Sequence, residues 1–152
     1  MDGMESIQKE IYLYIRGTKM TNDVEYYSEV KKMIQQFLNT SQLVPEILNE
    51  QEKQIIATFC FGMINGYSLK NKKNAIQIQG ATIDILIEMF FYSPAASAEF
   101  CNFLIECTDK SFHPTMHSII HRGIQGYYQY EEAKNNELKD NIENVIEVVK
   151  NH

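Results

Sequence analysis

Three histidines, His113, His117 and His121, stand four residues apart. On a helix, that spacing stacks imidazoles along one face, within reach of a shared metal ion. A plainer reading competes. His113 precedes Pro114, a favoured first residue of a helix, so His113 would sit before the helix and cap it. His117 and His121 would then bond to neighbouring backbone or carboxylates. No glutamate or cysteine stands beside them in a zinc-protease pattern, and no metal or other cofactor is expected. Asp84 and Glu88 are one turn apart and read either as a functional pair or as the wet stripe of an apolar helix. Cys60, Cys101 and Cys107 lie among apolar neighbours without the basic surroundings that activate a thiol, and they read as packing residues. No Ser-His-Asp elbow appears, so no catalytic residue is assigned.

Four glycines fall inside helical patterns: Gly62 and Gly66 in one, Gly123 and Gly126 in another. Each costs roughly 1 kcal/mol relative to alanine in a helix interior. The offsetting gain expected is close approach of two helix backbones, and no Walker or dinucleotide pattern surrounds either pair. Arg122 is one of two arginines and sits in an apolar context. If buried it needs a carboxylate partner, for which Asp84, Glu88, Glu106 and Asp109 are the candidates. Tyr127, Tyr128 and Tyr130 crowd a helix end beside Glu131 and Glu132. An acidic patch rich in tyrosine is good material for a protein interface, although one or two of these rings could instead finish the core.

The elements that must position these residues follow from apolar spacing near 3.6 residues. Helical segments are expected at about 4–16, 23–39, 50–67, 76–91, 94–108, 114–133 and 136–150. Asn22 with Glu25, and Asn49 with Glu52, have capping-box spacing. Ser93-Pro94 and His113-Pro114 are start signals. The 76–91 segment is apolar on nearly every side, which marks it as a central, buried helix. Its opening Ile76-Gln77-Ile78-Gln79 alternates like a short strand, but no partner strand is apparent. The fifth segment should face inward with Phe100, Phe103, Leu104 and Cys107. Asn135-Asn136 is either a break or a turn of one long helix. The expected fold is an all-α, single-domain bundle of six or seven helices.

The chain has 152 residues, enough for one core, with 44% hydrophobic and 22% charged residues. No apolar run approaches a membrane span, and no secretory signal is visible; with three cysteines and no signal, a cytoplasmic protein with free thiols is expected. The net charge of −6 and the scarcity of arginine speak against nucleic-acid binding and suit a basic protein partner. Residues 131–152 hold six acids, Glu131, Glu132, Glu137, Asp140, Glu143 and Glu147, against Lys134, Lys139 and Lys150.

The run from His113 to Gly126 (HPTMHSIIHRGIQG) resembles the signature of the all-α immunity protein 48 family of bacterial polymorphic toxin systems. Phe61–Gly66 and Phe90–Ser93 fall where that family has similar segments, and the resemblance covers about residues 50–130. It implies a non-enzymatic protein that neutralises a cognate toxin domain by direct binding and occlusion, with no fixed catalytic residues. Tyr127, Tyr128, Tyr130, Glu131 and Glu132 are the expected partner-binding residues. Gly62, Gly66, His113, Pro114, His117, His121, Arg122, Gly123 and Gly126 are expected to be motif or structural residues. Two other readings stand beside this one: a small metal-binding protein or enzyme using His117 and His121, and a homodimeric module joined through the last helix.

Overall fold

The computed structural model describes residues 23–151. The expected segment at 4–16 lies outside them, as does Asn22. Six helices follow in order: α1 (Val24–Thr40), α2 (Glu50–Lys70), α3 (Ala75–Glu88), α4 (Pro94–Glu106), α5 (Pro114–Glu131) and α6 (Asn135–Lys150), with a short 3₁₀ turn at Pro45–Ile47. The architecture is the expected all-α bundle, and Ile76–Gln79 is helical.

Local chemistry sets the starts. The Asn49 side chain accepts from the Glu52 N–H at 2.8 Å, and the Glu52 carboxylate accepts from the Asn49 N–H at 3.2 Å. This reciprocal box satisfies two backbone donors that a helix start leaves orphaned. Asn74 and Gln77 build a second box, both bonds at 2.9 Å, so α3 starts at Ala75. The Ser93 hydroxyl caps α4 through the Ala96 N–H at 3.1 Å. At α1 the cap residue is Asp23, which makes no side-chain cap bond; its carboxylate instead accepts from Gln77 Nε2 at 2.7 Å and ties α1 to the first turn of α3.

The ends are less visible in sequence. Gln42, Lys72, Phe91 and Ala133 take the left-handed backbone region, with φ between 58° and 63°. Each closes a helix without the glycine that usually marks such a turn. At Ala133 the closure is a Schellman pattern, with Lys134 N–H bonded to the Gln129 carbonyl at 2.8 Å. That turn makes α5 and α6 two helices.

The centre belongs to α2, where the 76–91 segment was expected. Ile55–Ile64 is buried without interruption, and α2 packs against α1, α3, α5 and α6. Its all-round burial is disguised in sequence by small polar residues: Thr58 sends its hydroxyl back to the Gln54 carbonyl at 2.6 Å and so enters the core satisfied. Only Gly80–Leu86 of α3 is buried on every side. The helix stops at Glu88; Phe90 enters the core while Phe91 is 58% exposed. α4 buries Cys101, Leu104 and Cys107 but leaves Phe100 and Phe103 half-buried. All three cysteines are free and buried, and burial pushes the Cys101 thiol up to about 12.

α2 and α5 make the most intimate contact. A Cβ added to Gly62 would overlap the Ile120 carbonyl oxygen and stand 2.8 Å from Gly123 Cα. A Cβ added to Gly123 would overlap the Phe59 carbonyl oxygen and stand 2.9 Å from Gly62 Cα. The backbones therefore touch, with no layer of side chains between them. Gly126 lies against the Phe59 ring, itself stacked on Phe37 at 5.2 Å, and Gly66 lies against Tyr127.

Gly62→Ala and Gly123→Ala should each destabilise the fold by about 1–3 kcal/mol, since backbone cannot yield as a side chain does. Gly66→Ala should cost clearly less, because it meets the Tyr127 side chain at 3.0 Å. Urea denaturation of the three variants checks the order; a Gly66→Ala loss matching the other two contradicts it.

Candidate functional site

α5 carries many of the residues singled out by sequence, from Pro114 to Glu131. The glycine face is sealed against α2. Near its start, His113 is the cap: Nδ1 accepts from the Met116 N–H at 3.2 Å, and its ring stands edge-on to Phe103 at 5.7 Å. Pro114 follows at the first helical position, where no backbone donor is needed. His117 Nδ1 donates to the Cys107 carbonyl at 3.2 Å, pinning the α4–α5 connection. His121 is exposed, with its ring 4.4 Å from that of His117. The structure thus brings His117 and His121 together and turns His113 to a capping task. Among the described residues no three His, Cys, Asp or Glu side chains are grouped to hold a metal ion.

Arg122 overturns one expectation. It is half-buried, but among the described residues its partners are amides of α6 and no carboxylate. Nε donates to Asn141 Oδ1 at 2.8 Å, and the terminal nitrogens donate to Asn144 Oδ1 at 3.2 Å and to the Asn141 carbonyl at 3.4 Å. Asn141, 5% exposed, returns its amide N–H groups to the Arg122 carbonyl and to Gln129 Oε1, both at 3.0 Å. The reason is positional: α6 presents Asn141 on its inward face beside α5, while Asp84 and Glu88 bind Lys31 of α1 at 3.4 and 2.7 Å. Asp109 accepts from Ser111.

The tyrosine and glutamate cluster at the end of α5 is divided. Tyr127 is buried, edge-on to Tyr67 at 6.0 Å, and donates to Glu131 Oε2 at 2.9 Å. Burial and then that bond to a carboxylate push its hydroxyl well up. Glu131 is also held by Lys70 of α2; the Lys70 bond first and the Tyr127 bond second draw its carboxyl below the usual range. Tyr130 donates to Gln36 Oε1 of α1 at 2.8 Å. Glu132 pairs with Lys134 at 3.1 Å. Of the three rings only Tyr128 is exposed, at 46%. Beyond this cluster Glu137, Asp140, Glu143 and Glu147 are exposed along α6. The apolar stripe of α6, Leu138, Ile142 and Val145, is buried inside the chain and is not left for a second copy.

Two surfaces were not foreseen. One is an aromatic row, Tyr92–Phe100–Phe103–Phe112, with successive ring centres 5.9, 6.0 and 5.9 Å apart. Its sequence signal is the aromatic spacing of α4, which by helical periodicity alone points those rings inward. The other is a groove between α5 and α6 lined by Arg122. No periodicity reveals it, because it lies between two helices.

An all-helical bundle carrying an exposed acidic helix and a tyrosine beside it fits a protein-binding module. Comparison with family models places it more sharply: the chain belongs to the immunity protein 48 family, whose model matches residues 26–150. The match takes in α1 and α6, beyond the 50–130 stretch that carried the resemblance. Neither the curated proteins nor the solved structures compared with the chain gave a match.

Asn141→Leu should cost about 1–3 kcal/mol, since it strands Arg122 and Gln129 in a partly dry seam; chemical denaturation measures it, and a neutral result contradicts the seam. Glu131 is stabilising while ionised, because its folded carboxyl is lowered. Its contribution is present above the ordinary glutamate range, near 4.5, and disappears as pH falls through the folded value. Glu131→Gln should therefore lower the melting temperature slightly at neutral pH and match the parent in strong acid.

Proposed function

We propose that this chain neutralises a cognate toxin domain in the cytoplasm by binding it and covering its working surface, without chemistry of its own. Membership of the immunity protein 48 family carries the reading. The geometry supports it in kind: Tyr128 stays exposed beside an acidic helix, and Glu137, Asp140 and Glu147 enter no ion pair among the described residues. A surface of that sign suits a basic toxin face, such as that of a nuclease, and would speed its capture. The structural duties of Tyr127, Tyr130 and Glu131 move the proposed contact outward, to Tyr128, Glu132 and the exposed acids of α6. His117 supports the bundle through the Cys107 carbonyl, which favours a scaffold role for the histidine pair over a metal site.

Stopped-flow binding to the cognate toxin domain tests the reading. Glu137→Lys with Asp140→Lys should slow association roughly tenfold at low salt and less at high salt, as exposed charges are screened over about 8 Å at physiological ionic strength. Tyr128→Ala should chiefly raise the dissociation rate. Absence of any complex with the toxin, or protection of cells by a variant that no longer binds, would overturn the proposal.

A further inference from the structure

A groove of about 400 Å³ runs between the first half of α5 and the second half of α6. Thr115, Ser118, Ile119 and Arg122 line it from α5, and Val145 and Val149 from α6. Its walls are mostly aliphatic, and among the described residues its one charged group is Arg122. A guanidinium has five N–H donors in a planar fork. Three are spent here, all on neutral amide oxygens of Asn141 and Asn144. Among the described residues two donors and the whole charge are left without a carboxylate, in a chain with a net charge of −6. A half-buried cation usually acquires an anionic partner, since its charge is poorly hydrated there. The two asparagines do something else: by holding the Nε edge they fix the plane of the fork, so little freedom remains to be lost when a ligand arrives.

We infer that this groove is a carboxylate-binding site, and that its occupant is an acidic side chain of the toxin flanked by aliphatic residues. A carboxylate accepts two parallel N–H bonds from such a fork. Val148 and Val149 supply apolar surface for the methylenes and neighbours that carry it, over a floor formed by Ile119 and Val145. A cation would be repelled, and a neutral amide would leave the charge unmet. A phosphate dianion is a poorer match, being strongly hydrated and opposed by the chain's excess negative charge. The occupant's identity as toxin rests on the function proposed above; the carboxylate chemistry rests on the groove alone. The site would sit as a desolvated anchor near a rim whose other charges are acidic, giving the interface both signs and hence register.

Ser118 provides the test, because it is exposed and lies one turn before Arg122. Ser118→Glu places an internal carboxylate at i, i+4 to the guanidinium, a spacing that supports a helix, and so fills the site from within. Ser118→Gln has the same size and no charge. Amide-resolved NMR titration of the full chain with acetyl-Leu-Glu-Leu-amide should give saturable shifts at Ser118, Ile119, Arg122 and Val145. The Gln-containing peptide should not, and Ser118→Glu should abolish the shifts while Ser118→Gln keeps them. Equal shifts with both peptides, or none with the Glu peptide, overturn the carboxylate site. Toxin binding should weaken at least tenfold in Ser118→Glu and hold in Ser118→Gln. Unchanged toxin binding in both overturns the docking role, as does a site that takes free hexanoate but not the peptide. If the parent binds no toxin, the functional reading fails while the titration still judges the groove.

Discussion

The backbone contact between α2 and α5 governs the rest of the molecule. Gly62 and Gly123 face each other so closely that neither position has room for a methyl group. Four glycines in helix interiors would each weaken an isolated helix by roughly 1 kcal/mol. In exchange the two backbones touch at Gly62 and Gly123, Gly66 and Gly126 receive the rings of Tyr127 and Phe59, and dispersion between dense surfaces accumulates. That contact sets the rotation of α5. With the glycine face turned in, His113 must cap, His117 must meet the Cys107 carbonyl, Arg122 must reach toward α6, and Tyr128 must point to solvent. α6 is then locked to α5 through Asn141 and the left-handed turn at Ala133.

Charge is distributed in a way that separates scaffold from surface. Several lysines are used to join elements: Lys31 to Asp84 and Glu88, Lys70 to Glu131, and Lys150 to Glu52. Each bond crosses between helices distant in sequence. The acids along α6 are left to face solvent, apart from the Lys139–Glu143 pair at 4.0 Å. Such exposed charges add little to stability, the usual worth of a surface pair being about 0–1 kcal/mol, so the fold is largely indifferent to them. A bundle built this way can keep a rigid centre while its outer helix answers to a partner.

Sequence patterns located most of this fold because the signals were local. Asn49 with Glu52 and Ser93-Pro94 announce their helices through the same bonds that the structure forms. The glycine pairs point to a close helix contact because glycine in a helix has few other uses. The misjudged features are those decided by distant residues. Arg122 is met by Asn141, a neutral residue that no charge-pairing argument would select. Ala133 closes α5 in a conformation that its own type does not announce. Pattern alone points to α3 as the centre because that segment is apolar on nearly every side, whereas Thr58 and Ser68 of α2 enter the core bonded to the Gln54 carbonyl and to the Tyr26 hydroxyl. The tyrosine cluster was half legible: residue type marked it as notable, but only packing separates the exposed Tyr128 from the buried Tyr127.

We propose that the outer face of α6 and the end of α5 form the toxin-binding surface. Hydrogen–deuterium exchange of this chain, alone and with a catalytically disabled toxin domain, addresses it most directly. The account predicts added protection over residues 128–150 and no change in the buried stretch 55–64 of α2. Protection confined to other helices, or a loss of protection in α2 as the toxin binds, would contradict it.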